Sequence, residues 1–341
     1  MTDASLELLY RALESKPARG LLLADEQCIA EPGIQIPVIT NRVDVAQRFQ
    51  AAGFNAALSD FDLSVIDVDV IYYRVSKEKA LVHHLINQAL LRLPIGGELV
   101  LTGEKGDGLK TYADKARALV GSDKDLNKGR GGALLARIRK QREPETSLDD
   151  SNYRQLCDIA PQGHVALYSK PGVYGWQKID RGSRLLIGAL GDVLDKNGAQ
   201  APRDVLDLGC GYGYLTVMAH QRLPDARFVA TDNNVTALVA CTKNIETHAI
   251  SAQVVPADCA DGIGQQFDLV LCNPPFHKGF DIHGDLTLAF LKAAAARLAP
   301  DGMALFVVNQ FIALEQKAEP LFASCERAGE GEGFKVYLLK R

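Results

Sequence analysis

The chain has 341 residues, 47% of them hydrophobic, which is long for one core, comfortable for two domains, and too apolar for a disordered polymer. A formal net charge of −4 gives no global field for nucleic acid, so any basic surface must be local. Seven Cys without a C-x-x-C pair argue against a disulfide framework or a metal site, and no run reaches the roughly 18 apolar residues of a membrane span. The opening segment is acidic and lacks the apolar run of a signal peptide, so a cytoplasmic protein is expected.

In chain order, "GLLLAD" reads as a strand, "VDVAQRFQAAGF" as a helix and "VDVIYY" as a strand. "KALVHHLINQALLRL" then places Ala80, Leu81, His84, Leu85, Gln88 and Ala89 on one helical stripe. His83 and His84 lie inside that helix with no further ligands in sequence, which makes them structural. "GGELVLTGE" is another strand and "LKTYADKARALVG" another helix. This alternation predicts an α/β fold with a mostly parallel sheet and helices on both faces.

Lys124, Lys128, Arg130, Arg137, Arg139, Lys140 and Arg142 follow with a single interspersed acid, Asp125. They suit RNA phosphates; the alternative is a solvated helix face with strand ends. The polar segment Gln141–Asn152 lacks apolar periodicity and marks a boundary between domains at 1–145 and 160–341.

The second half repeats the plan: strand "RDVLDLG", helix around Tyr214–Gln221, strand "RFVATD", helix around Val235–Thr247, strand "AQVVPAD". Then come "FDLVLC", a helix through "LTLAFLKAAAARLA", strand "GMALFVV", and "GFKVYLLKR" as an antiparallel edge strand. Aligning the halves sets Asp69 over Asp268, Gly97 over Gly302, and Arg74-Val75-Ser76 over Asn273-Pro274-Pro275. Either the chain is a duplication with one copy stripped of its site, or both halves share only a general doubly wound pattern.

"DVLDLGCGYGYL" passes from strand to helix through Gly209, Gly211 and Gly213, whose lack of Cβ permits a sharp turn and close ligand approach. Asp232 ends the next strand, 23 positions beyond Gly209, where an acid suits the two hydroxyls of a ribose. A dinucleotide fingerprint wants G-x-G-x-x-G, but Tyr214 stands at its third glycine and no P-loop Lys follows. A nucleoside without pyrophosphate fits, which points to S-adenosyl-L-methionine. Asp207 would face its amino-acid end, and Asp258 its adenine amino group.

Asn273-Pro274-Pro275-Phe276 follows the strand "FDLVLC", at the carboxyl edge where α/β sheets bind ligands. The Asn273 side-chain oxygen and the Pro274 carbonyl are two acceptors whose direction proline stiffens. Together they would grip both hydrogens of a planar conjugated NH₂ and aim its lone pair, with Phe276 as a flat face for the ring that bears it. Cys272 reads as a buried strand residue rather than a nucleophile.

With these segments, "DLGCGYG", "TDNN" and "NPPFH", the chain resembles class I S-adenosylmethionine-dependent methyltransferases of exocyclic or amide nitrogens. Three features narrow this: a degenerate N-terminal copy, the segment "KPGVYGWQKIDRGSRLLIGAL", and "NPPFHKG". They resemble the bacterial ribosomal RNA guanine-N2 methyltransferases, the small subunit methyltransferase C family first and the large subunit methyltransferase G family second. The resemblance implies two tandem Rossmann-like domains with seven-stranded sheets, the first without cofactor and serving structure and RNA binding. It implies cofactor contacts from Asp207, Gly209, Gly211, Gly213, Asp232, Asn233, Asp258, Cys259 and Asn273, and catalysis by Asn273, Pro274, Pro275 and Phe276. Tyr174, standing where the family usually has Phe, would meet RNA with His277, Lys278, Arg137, Arg139 and Lys140; Asp180 and Gly182 match the family's pattern. The partner implied is ribosomal RNA or the small ribosomal subunit, the enzyme acting as a monomer without metal.

Competing readings are a guanine-N2 methyltransferase of 23S RNA, another exocyclic-amine or protein-glutamine methyltransferase, and a non-catalytic RNA-binding assembly factor. A nicotinamide oxidoreductase is disfavoured by Tyr214.

Overall fold

The computed structural model describes every residue except 1–2, 16, 18, 32, 65–66, 161–164, 198–200 and 276–278, with backbone alone over 279–285. The chain divides into two compact units, Met1–Gln155 and Leu156–Arg341.

The first unit holds strands β1 (Gly20–Leu23), β2 (Val38–Thr40), β3 (Ala56–Leu58), β4 (Val70–Arg74), β5 (Glu98–Gly103), β6 (Asp125–Lys128) and β7 (Leu134–Arg139). Its helices are α1 (Ala4–Leu13), α2 (Val43–Ala51), α3 (Lys79–Arg92) and α4 (Leu109–Val120). The sheet order is β3-β2-β1-β4-β5-β7-β6, parallel except where β7 pairs antiparallel to β5 and β6. The central strands are near-continuous apolar runs because both sheet faces are covered. Leu21, Leu23, Ile71, Tyr73, Leu99 and Leu101 enter one core cluster, while Leu22, Tyr72 and Val100 enter the opposite one, the period-2 alternation of a two-sided strand.

The second unit opens with a short ribbon, β8 (Cys157–Asp158) and β9 (Tyr168–Ser169), then α5 (Arg181–Asn197). Strands β10 (Asp204–Leu208), β11 (Arg227–Asp232), β12 (Ala252–Pro256), β13 (Phe267–Cys272), β14 (Leu298–Asn309), β15 (Ser324–Gly331) and β16 (Phe334–Lys340) follow. They interleave with α6 (Tyr214–His220), α7 (Val235–Thr247), α8 (Gly279–Arg297) and α9 (Leu314–Ala318). The order β12-β11-β10-β13-β14-β16-β15 matches that of the first unit strand for strand. Both units are seven-stranded Rossmann-like α/β domains.

The glycine correspondence extends to packing. A Cβ on Gly97 would lie 2.9 Å from the Pro94 oxygen and 3.1 Å from the Asp69 oxygen; one on Gly302 would lie 2.8 Å from the Phe267 oxygen and 3.0 Å from the Ala299 oxygen. Strand register aligns Val70↔Glu98 with Leu269↔Met303, which sets Arg74 in the place of Asn273. There the first unit differs: Arg74 bonds Asp25 at 2.6 Å, Asp3 at 2.6 Å and the Ser5 hydroxyl at 2.9 Å, filling that corner with its own charges.

Two expectations are corrected. "GFKVYLLKR" becomes β16, antiparallel but interior; the edge is β15, whose polar "SCERAGEG" carries no apolar alternation to signal a strand. The polar segment taken as the boundary belongs to the first unit, because it satisfies buried polar groups of α3. Asn87 donates to the Leu148 oxygen and accepts from the Leu148 amide, His83 Nδ1 meets the Asp149 oxygen, and His84 Nδ1 meets Asp150. The basic stretch after Lys124 forms the β6–β7 hairpin, which of the alternative reading keeps the strand ends and drops the helix face.

Candidate active site

Gly209, Gly211 and Gly213 link β10 to α6 and all adopt positive φ (78°, 55° and 85°), a region that favours residues without Cβ. Two are also close-packed. A Cβ on Gly213 would stand 2.8 Å from the Cys241 sulfur of α7, and one on Gly209 3.0 Å from the Phe290 ring. A Cβ on Gly211 would meet nothing within 4 Å among the described residues. The loop is pinned from below: Gly209 and Cys210 amides donate to the Thr231 oxygen at 2.9 Å, and the Gly211 amide donates to Asp232 Oδ2 at 2.9 Å.

Asp207 is wholly buried at the end of β10. Its Oδ2 accepts from the Thr216 amide (3.0 Å) and hydroxyl (2.7 Å), while Oδ1 finds no partner among the described residues. Burial pushes its pKa up to about 7, with Asp232 adding to the rise and the Thr216 bonds opposing it. An orphaned carboxylate oxygen in a low-dielectric site calls for a cation or donor.

Asp232 ends β11, its Oδ1 accepting from the Asn234 amide at 2.8 Å, and Asn234 in turn caps α7 through the Thr236 amide at 3.0 Å. Asn233 Nδ2 reaches Asp258 Oδ1 at 3.4 Å. Beyond Asp258 the chain turns through Cys259 (φ 46°) and Ala260 (φ 57°), two successive non-glycine residues in left-handed backbone. Strain of this kind persists where surrounding structure enforces it, and it clusters at ligand sites.

Asn273 follows β13 and is half-buried. Its Nδ2 donates to Asp180 Oδ2 at 2.9 Å and to Ser183 Oγ at 2.8 Å. A carboxylate only accepts, so the amide nitrogen must be the end facing Asp180, which leaves Oδ1 as the outward acceptor. Pro274 is buried and Pro275 exposed. Phe276, His277 and Lys278 lie outside the described residues. Tyr174 is 67% exposed; partial burial and the nearby Asp180 carboxylate push its phenol above the ordinary range. Cys272 is fully buried, and burial holds its thiol well above the usual pKa, as a structural strand residue requires.

Glycine loop, Asp232, Asp258 and Asn273 thus share the carboxyl edge of one sheet, the place where parallel sheets bind ligands. The basic residues of the first unit fare unevenly. Arg139 is exposed and Arg137 pairs with Glu98 at 2.6 Å. Lys140 is corrected: it is 1% exposed, its ammonium donating to the Leu93 oxygen at 2.7 Å and pairing with Glu143, so it is spent on the end of α3 and not on phosphate. Sequence reasoning missed the bonds of Asp180 and Ser183 to Asn273, and Thr216 beneath Asp207. The Asp-x-x-Ser pattern marks a helix start, but nothing local names the distant partner. Among the described residues, no group of three or more His, Cys, Asp or Glu is placed to hold a metal ion.

The model of the methyltransferase small domain matches residues 164–338. The ribosomal RNA small subunit methyltransferase C of Pseudomonas aeruginosa (strain UCBPP-PA14) is 31% identical over 78% of this chain and 77% of its own. The chain belongs to the ribosomal RNA small subunit methyltransferase C family. Another member, from Haemophilus influenzae (strain PittEE), is 26% identical over the full length of both chains. A solved T. thermophilus 16S rRNA N2 methyltransferase, in complex with AdoMet and guanosine, superposes with a TM-score of 0.81 at 26% identity, covering 95% of this chain and 88% of that one. Membership in the methyltransferase C family makes the protein a methyltransferase and sets aside both the nicotinamide oxidoreductase and the non-catalytic assembly factor.

Proposed function

We propose that this enzyme transfers the methyl group of S-adenosylmethionine to the exocyclic N2 amine of a guanine in 16S ribosomal RNA. The observation that carries the reading is Asn273, whose amide nitrogen is tied down by Asp180 and Ser183 while its oxygen remains to accept from an incoming amine.

The residues present fit the cofactor. Gly211 offers a backbone floor that a Cβ would occupy, and Asp207 Oδ1 is a buried acceptor without a partner among the described residues, suited to the α-ammonium. Asp232 would take the ribose hydroxyls, and Asp258 with Asn233 and Cys259 the adenine edge. When bound, S-adenosylmethionine supplies a methyl carbon already activated by the sulfonium. The chain's task is then orientation. Asn273 Oδ1 and the Pro274 carbonyl accept both hydrogens of the guanine NH₂ and aim the nitrogen lone pair. Tyr174 offers a flat face to the base; the base-stacking role expected of Phe276 and the RNA contacts expected of His277 and Lys278 fall outside the described residues. A strong base is unnecessary, because the amine sheds its proton once it is cationic.

In this reading the first unit binds no cofactor, since Arg74, Asp25 and Asp3 fill the corner that corresponds to Asn273. It presents the β6–β7 hairpin to RNA, the whole acting as a monomer. The deciding experiment is methylation of 16S RNA from a strain lacking this gene, with the product nucleoside identified by mass spectrometry. N2-methylguanosine is expected; a different methylated nucleoside overturns the assignment.

A further inference from the structure

An asparagine amide has two ends of nearly equal size and opposite hydrogen-bonding character. Turned by 180°, Asn273 would present an NH₂ to the acceptor amine and repel it. Recognition of an amine therefore requires something that fixes which end points outward. We propose that Asp180 and Ser183 are positioning residues that hold the Asn273 nitrogen inward, so that Oδ1 is the end offered to the acceptor. This rests on the reading of Asn273 as the amine's acceptor and adds the device that orients it.

The geometry is built for that task. Asp180 Oδ2 accepts from Asn273 Nδ2 at 2.9 Å and from the Ser183 amide at 2.8 Å, so one carboxylate oxygen both caps the start of α5 and holds the asparagine. The second hold is Ser183 Oγ at 2.8 Å, on a side chain only 7% exposed. Flipping the amide would set Oδ1 against a carboxylate and forfeit the bond to Asp180. The support is close-packed as well. A Cβ on Gly182 would lie 3.1 Å from Asp180 Oδ2 and 3.1 Å from the Phe334 ring, which ties the first turn of α5 to β16. The distance in sequence is large, 93 residues between Asp180 and Asn273, so the pair is a product of the fold and not of a local turn.

Substitutions separate positioning from helix capping. Asp180→Ser keeps a cap for α5 but falls short of Asn273, and Asp180→Asn keeps an acceptor oxygen for both partners. The full chain is assayed on small-subunit RNA from the deletion strain, with S-adenosylhomocysteine binding followed by calorimetry. Asp180→Ser should lower kcat about 10- to 100-fold, while the cofactor KM and S-adenosylhomocysteine affinity stay within about 3-fold. Asp180→Asn should stay within about 3-fold of the parent in kcat. Parental kcat in Asp180→Ser, or a loss in Asp180→Asn as large as that in Asp180→Ser, overturns the proposal. Parental turnover in Asn273→Ala would instead defeat the role of Asn273 itself, so the two failures are distinguishable.

Discussion

The Asp232 carboxylate accepts a hydrogen bond from the Gly211 amide at 2.9 Å, and its other oxygen accepts from Asn234 at 2.8 Å. Both oxygens therefore hold backbone. The acid expected to bind a ribose also fixes the loop over which that nucleoside would lie. Asp232→Ala should lose both functions together, weakening S-adenosylhomocysteine binding by roughly 1–3 kcal/mol in calorimetry. Unchanged affinity would move the ribose contact to another residue.

Asn273→Ala removes an acceptor for the amine and leaves Asp232, Asp207 and the glycine loop in place. Turnover on 16S RNA should fall at least about 100-fold, with S-adenosylhomocysteine affinity within a few-fold of the parent. A parallel loss of cofactor affinity would make Asn273 a cofactor ligand first and an orienting group second.

Asp207 gives the enzyme a pH dependence with a definite sign. Its folded pKa is raised from 3.8 to about 7, so the folded protein binds a proton there that the unfolded chain has released. The free protein should lose stability from this group as pH climbs through that interval. A cofactor ammonium favours the ionised carboxylate, so binding should run the other way. S-adenosylhomocysteine affinity should rise with pH, by up to about tenfold per unit below pH 7, and level off above it. Asp207→Asn should flatten the profile; a flat profile in the parent protein would remove Asp207 from the ammonium site.

Much of this was legible in the sequence where backbone chemistry is residue-specific. Three glycines mark a left-handed turn, and an Asn-Pro-Pro run marks a strand end, whatever surrounds them. Two-sided strands such as β10 and β13 announce themselves as apolar runs. What stayed hidden depends on tertiary pairing. β2 and β3 are three residues each, too short for a period, and β15 is a polar edge. Lys140 looks like its basic neighbours, and only the fold buries it against the end of α3. The segment after Gln141 shows no apolar periodicity because it joins α3 mainly through hydrogen bonds to His83, His84 and Asn87.

The β6–β7 hairpin exposes Lys128, Arg130 and Arg139, while Lys140 points into the first unit. Replacing the three exposed cations with Gln should weaken RNA binding and flatten its salt dependence, by about one unit of log–log slope for each phosphate no longer neutralised. Lys140→Met should behave differently, lowering the melting temperature through a lost cap on the Leu93 carbonyl while leaving the salt slope as it is. Filter binding from low to moderate salt checks both, and a slope that ignores the triple replacement places the RNA surface elsewhere.

Gly211 and Gly213 offer a pair of substitutions with opposite readouts. Alanine at either must hold a left-handed backbone, which costs about 1–2 kcal/mol. At Gly213 the new methyl would also meet the Cys241 sulfur at 2.8 Å inside the core between loop and α7, so the penalty falls on folding. Gly213→Ala should lower the melting temperature sharply, and Cys241→Ala added to it should return part of the loss by making room. At Gly211 the methyl meets nothing within 4 Å among the described residues. Gly211→Ala should therefore melt much closer to the parent yet bind S-adenosylhomocysteine at least about tenfold more weakly, because its methyl stands where the cofactor would rest. Calorimetry beside a thermal melt separates the two. A Gly211→Ala protein with parental affinity would take the centre of the loop out of the cofactor floor.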